Sequence, residues 1–158
     1  MMKRLKLKTL IPALLLPLGL GTAAALMTRD GMAVFAGAIK PPLSPPAWLF
    51  PIVWTVLYLL MGTASALVWS ADVSPIRRDR ALSFYSLSLT ANFVWPLIFF
   101  GMELYAVAFF WLILLWLLSA AAALLFFYIS PRAGRLMLPY ILWLSFALYL
   151  NLGVWILN

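Results

Sequence analysis

Five long apolar stretches dominate the pattern of this 158-residue chain. Each runs between charged side chains and contains at least the roughly 20 residues that an α-helix needs to cross the hydrocarbon core of a bilayer. The stretches lack the apolar–polar alternation of transmembrane β-strands, and lipid-facing backbone must satisfy its own hydrogen bonds. The pattern predicts an all-α membrane protein, a bundle of five transmembrane helices. We place these helices at 9–28, 46–70, 81–101, 104–128 and 135–157.

The first apolar stretch has two interpretations. Residues 1–8 are basic, with Lys3, Arg4, Lys6 and Lys8, and the apolar run 10–20 and small residues at 22–25 follow. This is also the layout of a secretory signal peptide. We prefer a short basic N-terminus at 1–8 followed by one five-helix domain at 9–158, and keep cleavage of the first helix as the alternative.

The positive charges predict the orientation in the membrane. If the N-terminus lies inside, nine Lys and Arg residues fall on the inner side, and only Arg29 and Lys40 fall on the outer side. Cytoplasmic loops carry the excess of Lys and Arg in membrane proteins. We therefore expect a multi-pass protein of a bacterial inner membrane, with a cytoplasmic N-terminus and the C-terminus outside.

Composition removes several classes of function. Hydrophobic residues make up 66% of the chain, and it contains neither cysteine nor histidine, so we expect no disulfide, no metal site and no required cofactor. The net charge of +7 does not predict nucleic-acid binding, because four of the eleven basic residues crowd into the first eight positions. All four acidic residues fall in predicted loops, which argues against a proton-coupled exporter and provides no acid–base pair.

Three predicted helices carry aromatic and polar side chains at helical spacing. The stripes are Trp54, Tyr58, Met61 and Ser65; Ser88, Asn92, Trp95 and Phe99; and Trp143, Phe146, Ala147, Leu150 and Asn151. An unpaired amide in lipid is costly, so Asn92 and Asn151 should face the interior of the bundle. Two interpretations stay open for the stripes: packing faces with amides bonded across helices, or a pocket with flat aromatic walls for a rigid hydrophobic ligand.

Three sequence motifs resemble those of the TspO/MBR family, the tryptophan-rich sensory proteins related to the mitochondrial translocator protein. The first begins at Lys40-Pro41 and Pro45-Pro46 and continues through Phe50-Pro51-Ile52-Val53-Trp54 to Gly62. The second is Asn92-Phe93-Val94-Trp95-Pro96, and the third runs from Pro139-Tyr140 through Trp143 to Asn151. The motifs occur in the family's order and cover most of residues 40–157.

The resemblance implies a receptor-type five-helix protein, commonly a homodimer, that binds protoporphyrin IX and similar flat hydrophobic ligands. The ligand contacts that it implies are Trp54, Tyr58, Asn92, Trp95, Trp143 and Ala147, and Phe146 and Leu150 share the last stripe. Bacterial members are reported to promote light-dependent porphyrin breakdown, for which Trp54 and Trp143 are the matching tryptophans. Porphyrin transport is a further implied role. We do not classify the chain as an enzyme and assign no firm catalytic residue; Trp54 and Trp143 are the candidates for that light-dependent reaction.

Two positions depart from the family pattern: Leu43 stands where the family usually has Trp, and Phe35 where it has Tyr. Loss of the loop tryptophan is expected to weaken or shift porphyrin binding.

Two other functions stay open. One is a transporter or exporter of small hydrophobic solutes, and the other is a structural membrane partner of another subunit. The small residues at 119–123 favour either contact with a second copy or close packing inside the bundle.

Overall fold

The computed structural model describes residues 6–158 and places six α-helices in them. These are α1 (Leu7–Met27), α2 (Arg29–Phe35), α3 (Leu49–Trp69), α4 (Pro75–Pro96), α5 (Tyr105–Ile129) and α6 (Pro131–Leu157). A π-helical turn, Leu97–Gly101, continues α4. Five helices are long and apolar enough to span a membrane, which confirms the predicted fold class. Lys3 and Arg4 of the predicted basic N-terminus lie outside the described residues.

Two helices begin at least four residues earlier than predicted, and α1 begins two residues earlier, at Leu7 rather than at residue 9. α4 begins at Pro75 rather than at residue 81, and α6 begins at Pro131 rather than at residue 135. In both cases Ser-Pro starts the helix, because proline needs no N–H partner in the first turn and its φ is already helical. The prediction for α4 was wrong because it let the helix begin only after the last charged residue, Arg80, and the prediction for α6 was wrong because it treated residues 129–134 as a loop. As a result Asp79, predicted in a loop, lies in α4, where it remains exposed.

The short helix α2 was not predicted. The backbone oxygen of Thr28 accepts a hydrogen bond from Met32 N at 2.9 Å, so a new helix starts where α1 ends. Asp30, predicted in a loop, lies in its first turn. α2 delivers Phe35 to the aromatic residues at the end of α4.

The five long helices form a closed ring. α1 packs against α3, α3 against α6, α6 against α5, α5 against α4, and α4 against α1. Within the described residues, α4 and α6 face each other across the ring without close backbone contact. Only side chains can bridge this gap, and the predicted site residues lie on the helices that border it.

Small side chains set the closest helix contacts. A Cβ atom at Gly62 of α3 would lie 2.5 Å from the carbonyl oxygen of Ala13 on α1, so only glycine fits this crossing. On α5, Ser119, Ala122 and Ala123 are buried inside the bundle. These three residues therefore pack within the ring, as one of the two interpretations held.

Residues 36–48, here called the strap, connect α2 to α3 and are tied to the C-terminal half of α6. Tyr149 Oη donates a hydrogen bond to the Pro42 carbonyl oxygen at 2.7 Å. The side-chain amide of Asn158 pairs with both backbone groups of Ile39, accepting from N at 3.0 Å and donating to O at 2.8 Å. The strap therefore closes over the end of the ring that carries the C-terminus.

Candidate functional site

Five aromatic side chains from α3 and α6 form the Trp54 cluster, which consists of Trp54, Tyr58, Tyr140, Trp143 and Phe146. The ring centroid of Trp54 lies 5.4 Å from Tyr58, 6.4 Å from Tyr140 and 6.5 Å from Trp143, and Trp143 lies 5.7 Å from Phe146. The planes of Trp54 and Trp143 stand at 86°, an edge-to-face arrangement. The cluster is a set of flat walls at several angles on one side of the ring.

An amide side chain connects this cluster to α4. Asn92 accepts a hydrogen bond from Tyr58 Oη at 2.9 Å and donates one to Tyr140 Oη at 3.0 Å. All three residues are buried. This bridge crosses the gap between α4 and α6, so it joins three helices whose stripes were identified in the sequence. The interior position predicted for Asn92 is confirmed.

Five further aromatic side chains form the Trp95 cluster at the C-terminal end of α4: Phe35, Trp95, Phe99, Phe100 and Tyr105. Trp95 stacks on Phe99 with centroids 4.9 Å apart, and Phe35 lies 5.2 Å from both Phe99 and Phe100. Lys40 Nζ lies 5.0 Å from the Phe35 centroid, a cation–π geometry. Phe35, where the resemblance implies a tyrosine, is therefore a packing residue in this structure.

Asn151 anchors the Trp95 cluster to α6. It accepts a hydrogen bond from Trp95 Nε1 at 3.1 Å and donates one to the Tyr105 carbonyl oxygen at 2.9 Å. Only 1% of its surface is exposed, so the interior position predicted for this amide is confirmed. Both asparagines are bonded across helices, as the packing interpretation requires.

The structure divides the predicted ligand contacts between two places. It brings Trp54, Tyr58, Asn92, Trp143 and Phe146 together in and beside the Trp54 cluster. Trp95 lies in the other cluster, with its indole N–H already bonded. Ala147 and Leu150 are partly buried on α6, one and two turns beyond Trp143.

The predicted site missed one member of the Trp54 cluster, Tyr140, and two residues beside it, Phe50 and Gly21. Tyr140 lies three residues before Trp143, a spacing that places it on the same helical face. Phe50 lies one turn before Trp54, and its ring is 5.9 Å from Trp143. Gly21 of α1 lies against the Tyr58 ring, so a Cβ atom there would collide with it. Helical spacing could have found the first two, whereas the sequence gives no signal for the third.

The remaining tryptophans have structural positions. Trp111 Nε1 donates to the Ala91 carbonyl oxygen and Trp116 Nε1 donates to Ser145 Oγ, both at 2.9 Å, so both bind neighbouring helices together. Trp48, Trp69 and Trp155 are exposed near helix ends. Such positions are typical of the aromatic belt at a membrane interface.

The chemistry available at the Trp54 cluster is stacking and hydrogen bonding. Trp54 and Trp143 are partly buried, and within residues 6–158 no acceptor is bonded to either indole N–H. The four carboxylates of the chain are exposed near the ends of the bundle. Within the described residues, no three His, Cys, Asp or Glu residues lie close enough together to hold a metal ion.

Comparison with known proteins gives a consistent family. Residues 13–156 match the model of the TspO/MBR family. The chain is 36% identical over 120 residues to "Tryptophan-rich protein TspO" of Chlorobaculum tepidum, covering 76% of each chain. It is 36% identical over 119 residues to "Protein CrtK" of Rhodobacter capsulatus, covering 75% of this chain and 74% of that protein. It is 35% identical over 149 residues to "Translocator protein" of Homo sapiens, covering 93% of this chain and 85% of the human one.

Proposed function

The chain belongs to the TspO/MBR family and is a multi-pass integral membrane protein, and from this premise we propose that it binds protoporphyrin IX and similar flat hydrophobic molecules. The proposed site is the Trp54 cluster with Asn92, between α3, α4 and α6. The protein acts as a receptor in this proposal, with porphyrin as its ligand and no resident cofactor.

One observation carries the proposal: two partly buried indoles, Trp54 and Trp143, stand edge to face with N–H groups that no protein atom in residues 6–158 accepts. Neither N–H is among the buried unpartnered side-chain atoms of residues 6–158, so a ligand can reach both, and a tryptophan N–H that becomes buried usually has a partner. A ligand with carboxylate or ring-nitrogen acceptors would supply one. Stacking and burial of apolar surface would supply most of the binding free energy.

The ligand must displace side chains in order to enter, because the rings of the cluster touch one another. Trp143 and Phe146 lie toward the strap, and Phe146 stacks on Tyr149, which is bonded to Pro42. We therefore expect the ligand to enter at this edge. Tyr58, Asn92 and Tyr140 form the floor, since their mutual hydrogen bonds hold them in place.

The test is a titration of the purified protein with protoporphyrin IX in darkness, followed by porphyrin fluorescence anisotropy. We expect saturable binding and saturable quenching of tryptophan fluorescence. Trp54→Phe and Trp143→Phe should each raise Kd about 10-fold, on the order of 1.4 kcal/mol for a lost ring contact and hydrogen bond. Trp155→Phe is the matched control, because Trp155 packs on Phe109 and Phe110 instead. Unchanged Kd in both cluster variants would refute the site.

Illumination of the same samples tests for light-dependent porphyrin breakdown. If Trp54 and Trp143 take part, the porphyrin absorbance should decay faster with the wild type than with either Phe variant at equal occupancy. Equal decay rates at equal occupancy would mean that the protein binds porphyrin but that Trp54 and Trp143 take no part in its breakdown.

The proposed topology places the N-terminus in the cytoplasm and the C-terminus outside, in the inner membrane of a bacterium. Since the sequence lacks cysteine, single cysteines report accessibility cleanly. Leu43→Cys in the strap should react with an impermeant maleimide in intact cells, and Ser74→Cys only after lysis. If Ser74→Cys reacts in intact cells and Leu43→Cys only after lysis, the topology is the opposite of the one proposed. Cross-linking of purified protein in detergent tests the proposed homodimer.

Transport of hydrophobic solutes is a second candidate, because a similar protein of Homo sapiens is called translocator protein. Proteoliposomes loaded with porphyrin should release it faster than protein-free vesicles if the chain transports it. Binding without release would favour the receptor.

A further inference from the structure

The end of the bundle that carries Lys6 contains a cleft that the proposed porphyrin site does not use. α1 and α4 begin there and α3 ends there, and the cleft between them has a volume of about 280 Å³. Its charged lining side chains are Lys6, Arg78 and Asp72. Trp69 forms one wall, with the Arg78 guanidinium carbon 5.4 Å from the ring centroid. Two cations and one carboxylate therefore share a small cleft beside an interfacial tryptophan.

Arg78 presents N–H donors to this cleft. Its side chain is 30% exposed, and its Nε lies 3.8 Å from the Asp79 carboxylate oxygen, an ion pair beyond hydrogen-bond distance. Nε itself is buried, whereas the two terminal guanidinium nitrogens are not among the buried unpartnered atoms of residues 6–158. These terminal N–H groups are therefore the donors that an oxygen of a ligand can reach.

A groove continues from the cleft toward the centre of the membrane. It has a volume of about 530 Å³ and shares Trp69 with the cleft. Its other lining residues recur every three or four positions along one face of α4, namely Asp79, Leu82, Ser83, Ser86, Leu87 and Thr90. From Asp79 to Thr90 the helix rises about 16 Å, roughly half of a hydrocarbon core that is about 30 Å thick. A charged cleft therefore opens into a groove at the depth of the acyl chains.

We infer that the cleft and the groove together hold one phospholipid whose headgroup carries a primary ammonium, as phosphatidylethanolamine does. The phosphate accepts hydrogen bonds from Arg78 and Lys6, and the ammonium donates to Asp72. Basic clefts between transmembrane helices are known headgroup sites. One acyl chain lies in the groove against Leu82 and Leu87, with the Ser83 hydroxyl near the ester carbonyls.

The mixed charge of the cleft selects this headgroup. A phosphatidylglycerol headgroup carries the same phosphate but offers Asp72 only hydroxyl donors and no cation. A phosphatidylcholine headgroup has no N–H group to donate to the carboxylate. Phosphatidylethanolamine alone among these three has a phosphate for the two cations and an N–H donor for Asp72.

The experiment is native mass spectrometry of the full chain, released from nanodiscs that contain equal amounts of the three phospholipids with identical acyl chains. We expect one retained phosphatidylethanolamine per chain, at least fivefold more abundant than either of the others. Lys6→Gln with Arg78→Gln should reduce this adduct about 10-fold. Arg77→Gln is the matched control, since Arg77 has the same charge, lies in the same helical turn and does not line the cleft.

Two further variants separate the parts of the proposal. Asp72→Asn should keep a bound lipid but remove the preference over phosphatidylglycerol. Arg78→Lys keeps the positive charge and should retain more lipid than Arg78→Gln. The Lys variant therefore tests the role of the charge even if the Gln variant folds poorly. Phosphatidylethanolamine with brominated acyl chains should quench the tryptophan fluorescence of the wild type more than that of Trp69→Phe, because Trp69 lines both the cleft and the groove.

Three results would overturn the inference. Equal retention of all three lipids would mean ordinary boundary lipid, and preference for phosphatidylglycerol would mean that Asp72 plays no part. Loss of all lipid on formation of a dimer would mean that a second copy occupies the groove. The porphyrin titration of these variants should match the wild type, so failure here is distinguishable from failure of the porphyrin site.

Discussion

The Trp54 and Trp95 clusters are built from similar side chains yet differ in how their polar groups are used. In the Trp95 cluster Asn151 accepts a hydrogen bond from the Trp95 indole N–H and donates one to the Tyr105 carbonyl oxygen. In the Trp54 cluster Asn92 is bonded to a tyrosine on both sides, but within residues 6–158 no acceptor is bonded to the N–H group of Trp54 or Trp143. The two clusters therefore differ in hydrogen-bond satisfaction rather than in aromatic content, and the one with unbonded indoles is the one proposed to accept a ligand.

The largest effect that this comparison predicts is on stability. Asn151→Leu leaves the buried Trp95 N–H and the Tyr105 carbonyl oxygen without partners and should reduce the free energy of unfolding by about 2–3 kcal/mol. Porphyrin Kd should change less than about twofold, or about 0.4 kcal/mol of binding free energy, because Asn151 belongs to the Trp95 cluster. Denaturant unfolding in detergent and the porphyrin titration measure the two quantities. Asn92→Leu is the matched variant and should impair both. If the two variants weaken binding equally, the distinction between the clusters is wrong.

A smaller effect is expected at Gly21, where a methyl group would push the Tyr58 ring toward Trp54. Gly21→Ala should lower stability by about 1–2 kcal/mol through overpacking and raise porphyrin Kd severalfold. Gly19→Ala is the control, because nothing lies within 4 Å of a Cβ atom there. That variant should gain about 0.5–1 kcal/mol from helix propensity without a change in Kd. A stabilised Gly21→Ala protein with normal binding would show that α1 does not support the cluster.

Removal of a single hydroxyl tests the floor of the Trp54 cluster. Tyr140→Phe keeps the ring but removes the acceptor of Asn92 Nδ2, so stability should fall by about 1 kcal/mol. Porphyrin Kd should rise two- to threefold as Asn92 loses its fixed orientation. Thermal unfolding and anisotropy report the two effects. An unchanged melting temperature would mean that the amide finds another partner.

The smallest expected effect is at the strap. Tyr149→Phe removes one exposed hydrogen bond to Pro42 and should change stability by less than about 0.5 kcal/mol. Bound porphyrin should nevertheless dissociate two- to threefold faster, as followed by stopped-flow fluorescence. Tyr128→Phe, at an exposed site on α5, should change neither quantity. Equal dissociation rates would place the entry route elsewhere.

The sequence predicted the spans well because each is a long apolar run, and it predicted the interior position of Asn92 and Asn151 because amides are costly in lipid. It missed the starts of α4 and α6, since Ser-Pro signals lie outside the hydrophobic runs. It grouped Trp95 with Trp54 and Trp143, because spacing along a helix does not fix the rotation of that helix against its neighbours. Which indoles are already bonded depends on contacts between distant parts of the chain, such as Trp95 with Asn151.

Leu43 places local backbone strain in the strap. Its φ of 66° is left-handed, and its side chain is 82% exposed, so it is held in a disfavoured backbone shape without burial in return. A non-glycine residue in this region costs on the order of 1 kcal/mol. Glycine adopts this φ without that cost, so Leu43→Gly should leave the shape of the strap unchanged and remove about 1 kcal/mol of local backbone strain.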